Sequence, residues 1–174
     1  MIQASPARCP DRLALGIKRD GAWVTWTYKQ YLEEITTVAK AFIKLGLKPH
    51  HGVCIMGFNS PEWFISDIAA IVAGGLATGI YTTNSPSAVE YVARHCRANI
   101  LVVADQEQLA KVLEVREGLP ELTAIVQYDG KVMAGKASIP QVTEPGVLSW
   151  ADLLQLGRQQ AEEELQDRLR WNPP

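Results

Sequence analysis

The sequence predicts an α/β protein: a mostly parallel sheet with flanking helices, preceded by a β-hairpin. Three observations support this fold class, namely short apolar runs that do not alternate with polar residues, capped helical patterns between those runs, and a turn dipeptide near the start of the chain. Non-alternating apolar runs are typical of strands covered on both faces, and strands that alternate with helices form βαβ crossovers. The candidate strands are residues 53–58, 76–81, 100–104 and 124–128.

The predicted hairpin comes before this repeat. Its second strand, residues 23–26, combines tryptophan with β-branched side chains, which favour strands. Asp20-Gly21 lies between the two strands, and this dipeptide tolerates the positive φ of a tight hairpin turn. The first strand has alternating apolar residues at Leu13, Leu15 and Ile17.

A long amphipathic helix is predicted after the hairpin. Thr27 and Gln30 have the spacing of a capping box, and Gly46 stands where a left-handed residue commonly follows a helix. Lys40 and Lys44 are expected on its exposed face. Between the caps, apolar residues recur about every 3.6 positions: Tyr28, Tyr31, Leu32, Ile35, Val38, Ala39, Phe42 and Leu45.

Further helix starts separate the predicted strands. Ser60-Pro61-Glu62 combines an N-cap, a proline at the first helical position and an acid in the first turn, and Ser85-Pro86 repeats the first two features. Asp105 is predicted to cap a third helix. The helix that begins at Pro61 is apolar nearly all round, so we expect it to be buried.

The last part of the chain is predicted to be a loop followed by two helices. Ser149 and Asp152 have capping-box spacing, and the charged segment 158–170 is expected to be a surface helix with an i,i+4 pair between Glu164 and Arg168. We divide the chain into a hairpin with the first helix (10–47), a βα repeat (52–128) and a loop and helical segment (129–174).

Composition excludes several classes of protein. The 174 residues include 17 Lys and Arg against 19 Asp and Glu, a net charge of -2, and this balance argues against nucleic-acid binding, which needs a basic surface. No apolar run approaches the roughly 18 residues of a transmembrane helix, and the first residues lack the pattern of a secretory signal. We expect a soluble cytoplasmic protein, with peripheral membrane association left open.

The cysteines and histidines offer no starting point for a metal or redox site. Cys9, Cys54 and Cys96 are odd in number and no two form a C-x-x-C pair, so neither a disulfide framework nor a zinc site is expected. Cys96 follows a helical histidine, and a reactive thiol stays open there. We interpret His50 and His51 as solvated turn residues.

Motifs for nucleotide binding and nucleophilic catalysis are absent from the sequence. It contains no G-x-G-x-x-G between a strand and a helix, no G-x-x-x-x-G-K-[ST] and no G-x-S-x-G. An independent dinucleotide-binding protein is therefore disfavoured, and we predict no catalytic residue and no metal ligand in this chain.

Two polar loops follow predicted strands and are the candidate substrate-facing positions. Ligands of open parallel sheets bind at the carboxyl ends of the strands, and the loops that follow 53–58 and 76–81 are polar there. The alternative is structural, with Asn and Thr side chains satisfying loop backbone groups. The candidate residues are Asn59, Tyr81, Thr82, Thr83 and Asn84.

Three segments resemble the adenylate-forming superfamily, which includes acyl-CoA synthetases, luciferases and peptide adenylation domains. Residues 26–31, followed by a helix that ends at Leu45-Gly46, resemble its first block, and residues 52–63 resemble its second, an apolar strand ending in Asn-x-Pro-Glu-Trp. Residues 75–86 are similar to the bubblegum type of long-chain acyl-CoA synthetase. The resemblance extends over about 10–174, and the order of the blocks makes it specific.

The resemblance implies a long-chain fatty acid–CoA ligase that uses ATP, Mg²⁺ and coenzyme A, with fatty acid as the other substrate. The superfamily's Tyr-Thr-Ser-Gly-Thr-Thr-Gly phosphate loop, adenine block, ribose-binding aspartate and C-terminal lysine do not occur in residues 1–174. We therefore expect 1–174 to be an incomplete N-terminal part of an AMP-binding synthetase domain that binds none of these cofactors alone and is inactive alone. The alternative is a non-catalytic α/β interaction module or a truncated product.

Overall fold

The computed structural model describes residues 4–132 and 146–171, with the side chain of residue 171 excepted. Most of the predicted loop after residue 128, including its glycine and prolines at 135, 140 and 145, lies outside the described residues. A short helix, α1 (Ala4–Arg8), begins the described chain.

The predicted hairpin is confirmed. Strands β1 (Leu13–Arg19) and β2 (Ala22–Thr27) pair antiparallel, and both residues of the turn have positive φ, 48° at Asp20 and 83° at Gly21. The hairpin lies at the surface, since Trp23 is 71% exposed. Strands β1 and β2 form a two-stranded sheet of their own.

Helix α2 (Tyr28–Lys44) has both predicted caps. The Thr27 side chain accepts from the Gln30 N–H at 3.3 Å, and the Gln30 side chain accepts from the Thr27 N–H at 2.9 Å. Gly46 has a φ of 95°. The next N–H, that of Leu47, donates to the Phe42 carbonyl at 3.0 Å, so the helix ends in a Schellman-type turn.

Five parallel strands form the main sheet, in the order β4-β3-β5-β6-β7. They are β3 (Gly52–Met56), β4 (Leu76–Ile80), β5 (Ile100–Val103), β6 (Ala124–Gln127) and β7 (Val147–Ser149). The four predicted strands are confirmed to within two residues. Strand β7 was not predicted, because a run of three residues after a loop carries no detectable period.

The helices of the repeat begin at their predicted caps. They are α3 (Pro61–Val72), α4 (Pro86–His95) and α5 (Gln106–Glu114), capped by Ser60, Ser85 and Asp105. A 3-10 turn at Arg116–Gly118 precedes β6. Helix α6 (Trp150–Arg158) has the predicted capping box, and α7 (Glu163–Trp171) ends the described chain.

The sheet separates two apolar layers. Val53 and Ile55 of β3 pack in one layer with residues of α2, α3 and α6, whereas Cys54 and Met56 pack in the other with residues of α4 and α5. This division follows from strand geometry, because successive side chains point to opposite faces.

Two expectations about burial are wrong in part. Strand β4 was expected to be covered on both faces, but it is the edge strand of the sheet, and Leu76 is 47% exposed. Helix α3 was expected to be buried all round, but Phe64 and Ile71 are exposed. Both elements lie at the same margin of the sheet, where no further layer of the described chain covers them.

The last helix is less superficial than predicted. Leu165 is buried in the α2 layer, and the Arg168 guanidinium donates to the Leu47 carbonyl at 2.9 Å instead of making the expected contact with Glu164. Lys40 also differs from expectation, since its ammonium donates to the Gln160 carbonyl at 3.1 Å. In both cases a long cation bonds a backbone carbonyl of a distant segment.

Replacing Phe42 by alanine is expected to lower the free energy of unfolding by about 3–5 kcal/mol, because a wholly buried ring is removed and leaves a cavity. Lys44→Ala, on the exposed side of the same helix, is the matched control and is expected to cost about 0.5 kcal/mol or less. Urea denaturation measures both. Equal costs would show that α2 packs through another face.

Candidate functional site

The two candidate loops leave the sheet side by side. Strands β3 and β4 are neighbours, and the last pair in their register is Met56 with Ile80. The loop that holds Asn59 and the loop that holds residues 81–84 therefore start at the same carboxyl edge. The structure thus brings the candidate residues together, as the parallel arrangement predicts, and their role toward a substrate stays a prediction.

The second loop is held by backbone contacts and by one lysine. The Asn84 N–H donates to the Tyr81 carbonyl at 3.0 Å, and the Lys111 ammonium donates to the Thr82 carbonyl at 2.6 Å. Thr82 and Asn84 are half-buried, whereas Thr83 is exposed. The Asn84 N–H and Lys111 therefore satisfy two carbonyls of the loop. The structural role of the Asn and Thr side chains stays an alternative to the substrate-facing one.

Sequence reasoning missed Lys111. This residue lies on α5, and its ammonium also contacts the Gln108 amide oxygen at 3.1 Å and the Glu107 carboxylate at 3.5 Å. The local spacing to Gln108 and Glu107 is visible in the sequence. The contact with Thr82, 29 residues away, depends on how α5 and β4 are placed by the sheet.

An exposed aromatic pair marks this edge. Phe58, after β3, is 79% exposed, and Tyr81, after β4, is 81% exposed. Asn59 beside Phe58 is exposed as well. Phe58 was not among the predicted site residues. The sequence feature that could have indicated it is an aromatic residue at the end of a predicted buried strand. The edge therefore presents apolar rings together with polar loop groups.

Tyr128 covers the neighbouring ends of β3 and β5. In a sheet of this order the direction of winding reverses between these strands, which is where ligands of doubly wound proteins bind. The Tyr128 hydroxyl reaches from the end of β6 and donates to the Phe58 carbonyl at 3.3 Å. Burial raises the pKa of Tyr128, so the phenol stays protonated and can donate.

Gly57 makes room for this tyrosine. A Cβ built at Gly57 would collide with the Tyr128 hydroxyl and would lie 2.9 Å from the Ala104 Cβ. Residue 57 must therefore lack a side chain if the ring is to lie over the strand ends. Sequence reasoning could not assign this glycine a role, because its φ is not in the left-handed region and the contact comes from a residue 71 positions later in the chain.

An ion pair fastens the hairpin beside the same edge. The Arg19 guanidinium contacts the Glu62 carboxylate at 2.6 Å, and the Glu62 side chain is 4% exposed while that of Arg19 is 44% exposed. Glu62 lies in the first turn of α3, where a negative charge is favoured by the helix dipole. The pair thus joins the end of β1 to the helix that follows the Asn59 loop.

The interpretation of both histidines as solvated turn residues is wrong for His51. Its side chain is 7% exposed and its Nδ1 lies 3.4 Å from the Glu121 carboxylate. Arg97 donates to the same carboxylate and lowers the pKa of Glu121. The turn that contains His51 therefore packs on the segment before β6. It lies at the amino end of β3, which is the opposite edge of the sheet from the candidate loops.

Within residues 4–132 and 146–171, no group of three or more His, Cys, Asp or Glu side chains is placed to hold a metal ion. In the same residues no helix is long and apolar enough to cross a membrane.

Comparison with known sequences identifies the family. The sequence profile of the AMP-binding enzyme family matches residues 2–167. The chain is 46% identical over 158 residues to the long-chain-fatty-acid–CoA ligase ACSBG2 of Xenopus laevis, covering 91% of this chain and 20% of that protein. It is 46% identical over 175 residues to ACSBG2 of Gallus gallus, covering 100% and 22%. The chain spans about one fifth of the length of these relatives.

Solved structures agree on the fold. The anthranilate CoA ligase AuaEII in complex with anthranoyl-AMP superposes with a TM-score of 0.74 at 27% identity, covering 88% of this chain and 27% of that one. The A-PCP didomain of carboxylic acid reductase from Segniliparus rugosus, in complex with AMP, has a TM-score of 0.75 at 16% identity, covering 92% and 26%. The predicted adenylate-forming fold is confirmed.

Gly57→Ala is expected to lower the free energy of unfolding by about 1–3 kcal/mol, because the new methyl group displaces the Tyr128 ring. Gly79→Ala is the matched control on the neighbouring strand, since a Cβ there meets its nearest atom at an ordinary 3.7 Å. In a Tyr128→Phe background Gly57→Ala should cost less, because the colliding hydroxyl is gone. Chemical denaturation of Gly57→Ala, Gly79→Ala, Tyr128→Phe and the Gly57→Ala/Tyr128→Phe double variant measures these free energies of unfolding. If the cost of Gly57→Ala is the same with and without the Tyr128 hydroxyl, the two residues do not collide.

Arg19→Met is expected to lower the free energy of unfolding by about 1–3 kcal/mol, because it leaves the buried Glu62 carboxylate without its cation. The cost is lower than for a fully buried ion pair because Arg19 is partly exposed. Arg94→Met removes the exposed pair with Glu90 and should cost about 0.5 kcal/mol or less. Thermal unfolding compares them. A similar cost for both would show that the Arg19 pair is no stronger than a surface pair.

Proposed function

Because the chain belongs to the AMP-binding enzyme family, we propose that it is the N-terminal part of a long-chain fatty acid–CoA ligase. The observation that carries this proposal is the 46% identity to a ligase of that name along the whole of this chain. Since the chain spans about a fifth of that relative, we regard residues 1–174 as an incomplete part of an AMP-binding synthetase domain.

The proposed reaction of the whole enzyme has two steps. A fatty acid carboxylate attacks the α-phosphate of ATP, the bond to the β-phosphate oxygen breaks, and pyrophosphate leaves. The sulfur of coenzyme A then attacks the acyl carbon, and AMP leaves as the thioester forms. Mg²⁺ would neutralise phosphate charge in the first step, but the described residues offer no ligand set for it, and we assign it no residue of this chain.

In this proposal residues 1–174 supply a wall of the substrate site and no catalytic group. The exposed rings of Phe58 and Tyr81 support an apolar contact, and Asn59, Thr83 and the half-buried Thr82 and Asn84 add neutral polar groups beside it. Such an edge suits a fatty acyl chain better than a triphosphate, because none of these residues is cationic and the Lys111 ammonium beside them is bonded to the Thr82 carbonyl.

We also propose a cytoplasmic enzyme that contacts membranes peripherally and does not bind nucleic acid. Three cysteines that are free thiols support a reducing compartment, and the net charge of -2 gives no basic surface for nucleic acid. A long-chain fatty acid partitions into membranes, so an enzyme that consumes it gains from peripheral contact with them.

The test is the activity of the product of the whole coding sequence that contains residues 1–174. With palmitate, ATP, Mg²⁺ and coenzyme A, we expect palmitoyl-CoA and AMP in equal amounts. Replacing both Phe58 and Tyr81 by alanine should lower kcat/KM for palmitate about tenfold, the loss of one good apolar contact. Tyr91→Ala, an exposed aromatic on α4, is the control and should leave kcat/KM unchanged.

Residues 1–174 expressed alone are expected to release no AMP above a heat-denatured blank, because the sequence contains no Ser-Gly-Thr-Thr-Gly phosphate loop. AMP release by this purified chain would contradict the scaffold role. A full product without ligase activity toward fatty acids would contradict the proposed reaction and favour the interaction module.

A further inference from the structure

Two cysteines that are distant in sequence lie side by side in the layer between the sheet and α4. The Cys54 Sγ and the Cys96 Sγ are 3.4 Å apart, although 42 positions separate the residues. Cys54 is wholly buried in the middle of β3, whereas Cys96, at the end of α4, is partly exposed. No local pattern indicates this pair, because 42 positions separate the two cysteines and redox motifs have short spacing.

Backbone contacts hold the two sulfur atoms together. The Cys96 N–H donates to the Val92 carbonyl at 3.1 Å, and the Cys96 carbonyl accepts from the Gly52 N–H at 2.9 Å. A Cβ at Gly52 would collide with the Cys96 sulfur, so the glycine at the start of β3 leaves the space that the thiol fills. Cys96 is thus fastened to the strand that carries Cys54.

The two thiols are chemically unequal. The hydrogen bond from Cys54 lowers the pKa of Cys96 to about 7, with a further contribution from Thr78. The same bond, together with burial, raises the pKa of Cys54. The partly exposed Cys96 is therefore the thiol that ionises more readily, and the thiolate is the form that reacts with oxidants. Cys54 is the buried thiol beside it.

We propose that Cys54 and Cys96 form a redox-active pair, which hydrogen peroxide converts into an intramolecular disulfide and a dithiol reductant restores. The Cys96 sulfur attacks one peroxide oxygen, the O–O bond breaks, and the leaving hydroxide takes a proton to give water. The Cys54 sulfur, losing its proton, then attacks the Cys96 sulfenic acid, and the second hydroxide leaves as water. Two thiols lose two electrons and one peroxide is reduced to two waters.

The movement that closes the bond is small. The sulfur atoms must approach from 3.4 Å to about 2.05 Å, which side-chain rotation at the end of α4 can supply. The bond would tie the C-terminal end of α4 to β3. Because α4 begins directly after the loop of residues 81–84, the disulfide would also restrain the helix that supports one of the candidate loops.

The first experiment oxidises residues 1–174 with dilute hydrogen peroxide, blocks free thiols with iodoacetamide and maps the peptides by mass spectrometry. We expect a peptide with Cys54 linked to Cys96, carbamidomethylated Cys9, and full reversal by dithiothreitol. The oxidised chain should unfold at a temperature about 5–10 °C higher, because the bond constrains the unfolded chain. Cys9→Ser is the matched control and should leave the linked peptide, its reversal by dithiothreitol and the rise in unfolding temperature unchanged.

The second experiment separates the roles of the two thiols. In Cys54→Ala the sulfenic acid of Cys96 has no partner and should be trapped by dimedone. The rate of Cys96 alkylation, measured against pH, should show a midpoint near 7 in the wild type and a higher midpoint in Cys54→Ala. The midpoint of Cys54→Ser should lie between these two, because the serine hydroxyl can still donate to the Cys96 sulfur. Circular dichroism checks that each variant is folded. Cys96→Ser, which changes the more exposed cysteine, should abolish the linked peptide.

Three results would overturn the proposal. The first is a wild-type Cys96 that oxidises to sulfinic acid while Cys54 stays alkylatable after unfolding. The second is a disulfide that includes Cys9 or joins two chains. The third is an alkylation midpoint for Cys96 that does not move when Cys54 becomes alanine.

Discussion

The burial of β3 on both faces and both edges is the constraint on which the rest of the structure depends. Its backbone bonds to β4 on one side and β5 on the other, and all five of its residues are buried. A glycine stands at each end. Gly52 leaves room for the Cys96 sulfur and Gly57 for the Tyr128 ring, so side chains from both flanking layers pack against the ends of the central strand.

This packing shapes the carboxyl edge of the sheet. In a doubly wound sheet the reversal point between β3 and β5 would be an open crevice, but here Tyr128 covers it and bonds the Phe58 carbonyl. The rings of Phe58 and Tyr81 are nevertheless exposed to solvent. These exposed rings are the observation behind the proposed apolar contact with substrate.

Long cationic side chains join helices, strands and loops that are distant in the sequence. They do so by bonding a backbone carbonyl or a buried carboxylate. Arg19 contacts Glu62, Lys111 the Thr82 carbonyl and Arg168 the Leu47 carbonyl. Each contact fastens together two segments that are distant in the sequence. A long charged side chain can cover apolar surface with its stem while its end finds a polar partner, so these residues hold the margins without adding to the apolar core.

Local chemistry in the sequence by itself determined the hairpin turn at Asp20-Gly21, the helix caps at Thr27 and Ser60, and the order of strands and helices, because such signals act over a few residues. It also determined that the candidate loops share an edge, since neighbouring parallel strands end together. Only the tertiary structure decided the edge position of β4, the burial of His51, the cover formed by Tyr128 and the pairing of Cys54 with Cys96. Each of these depends on contacts between residues far apart in the chain, which packing creates and no local pattern records.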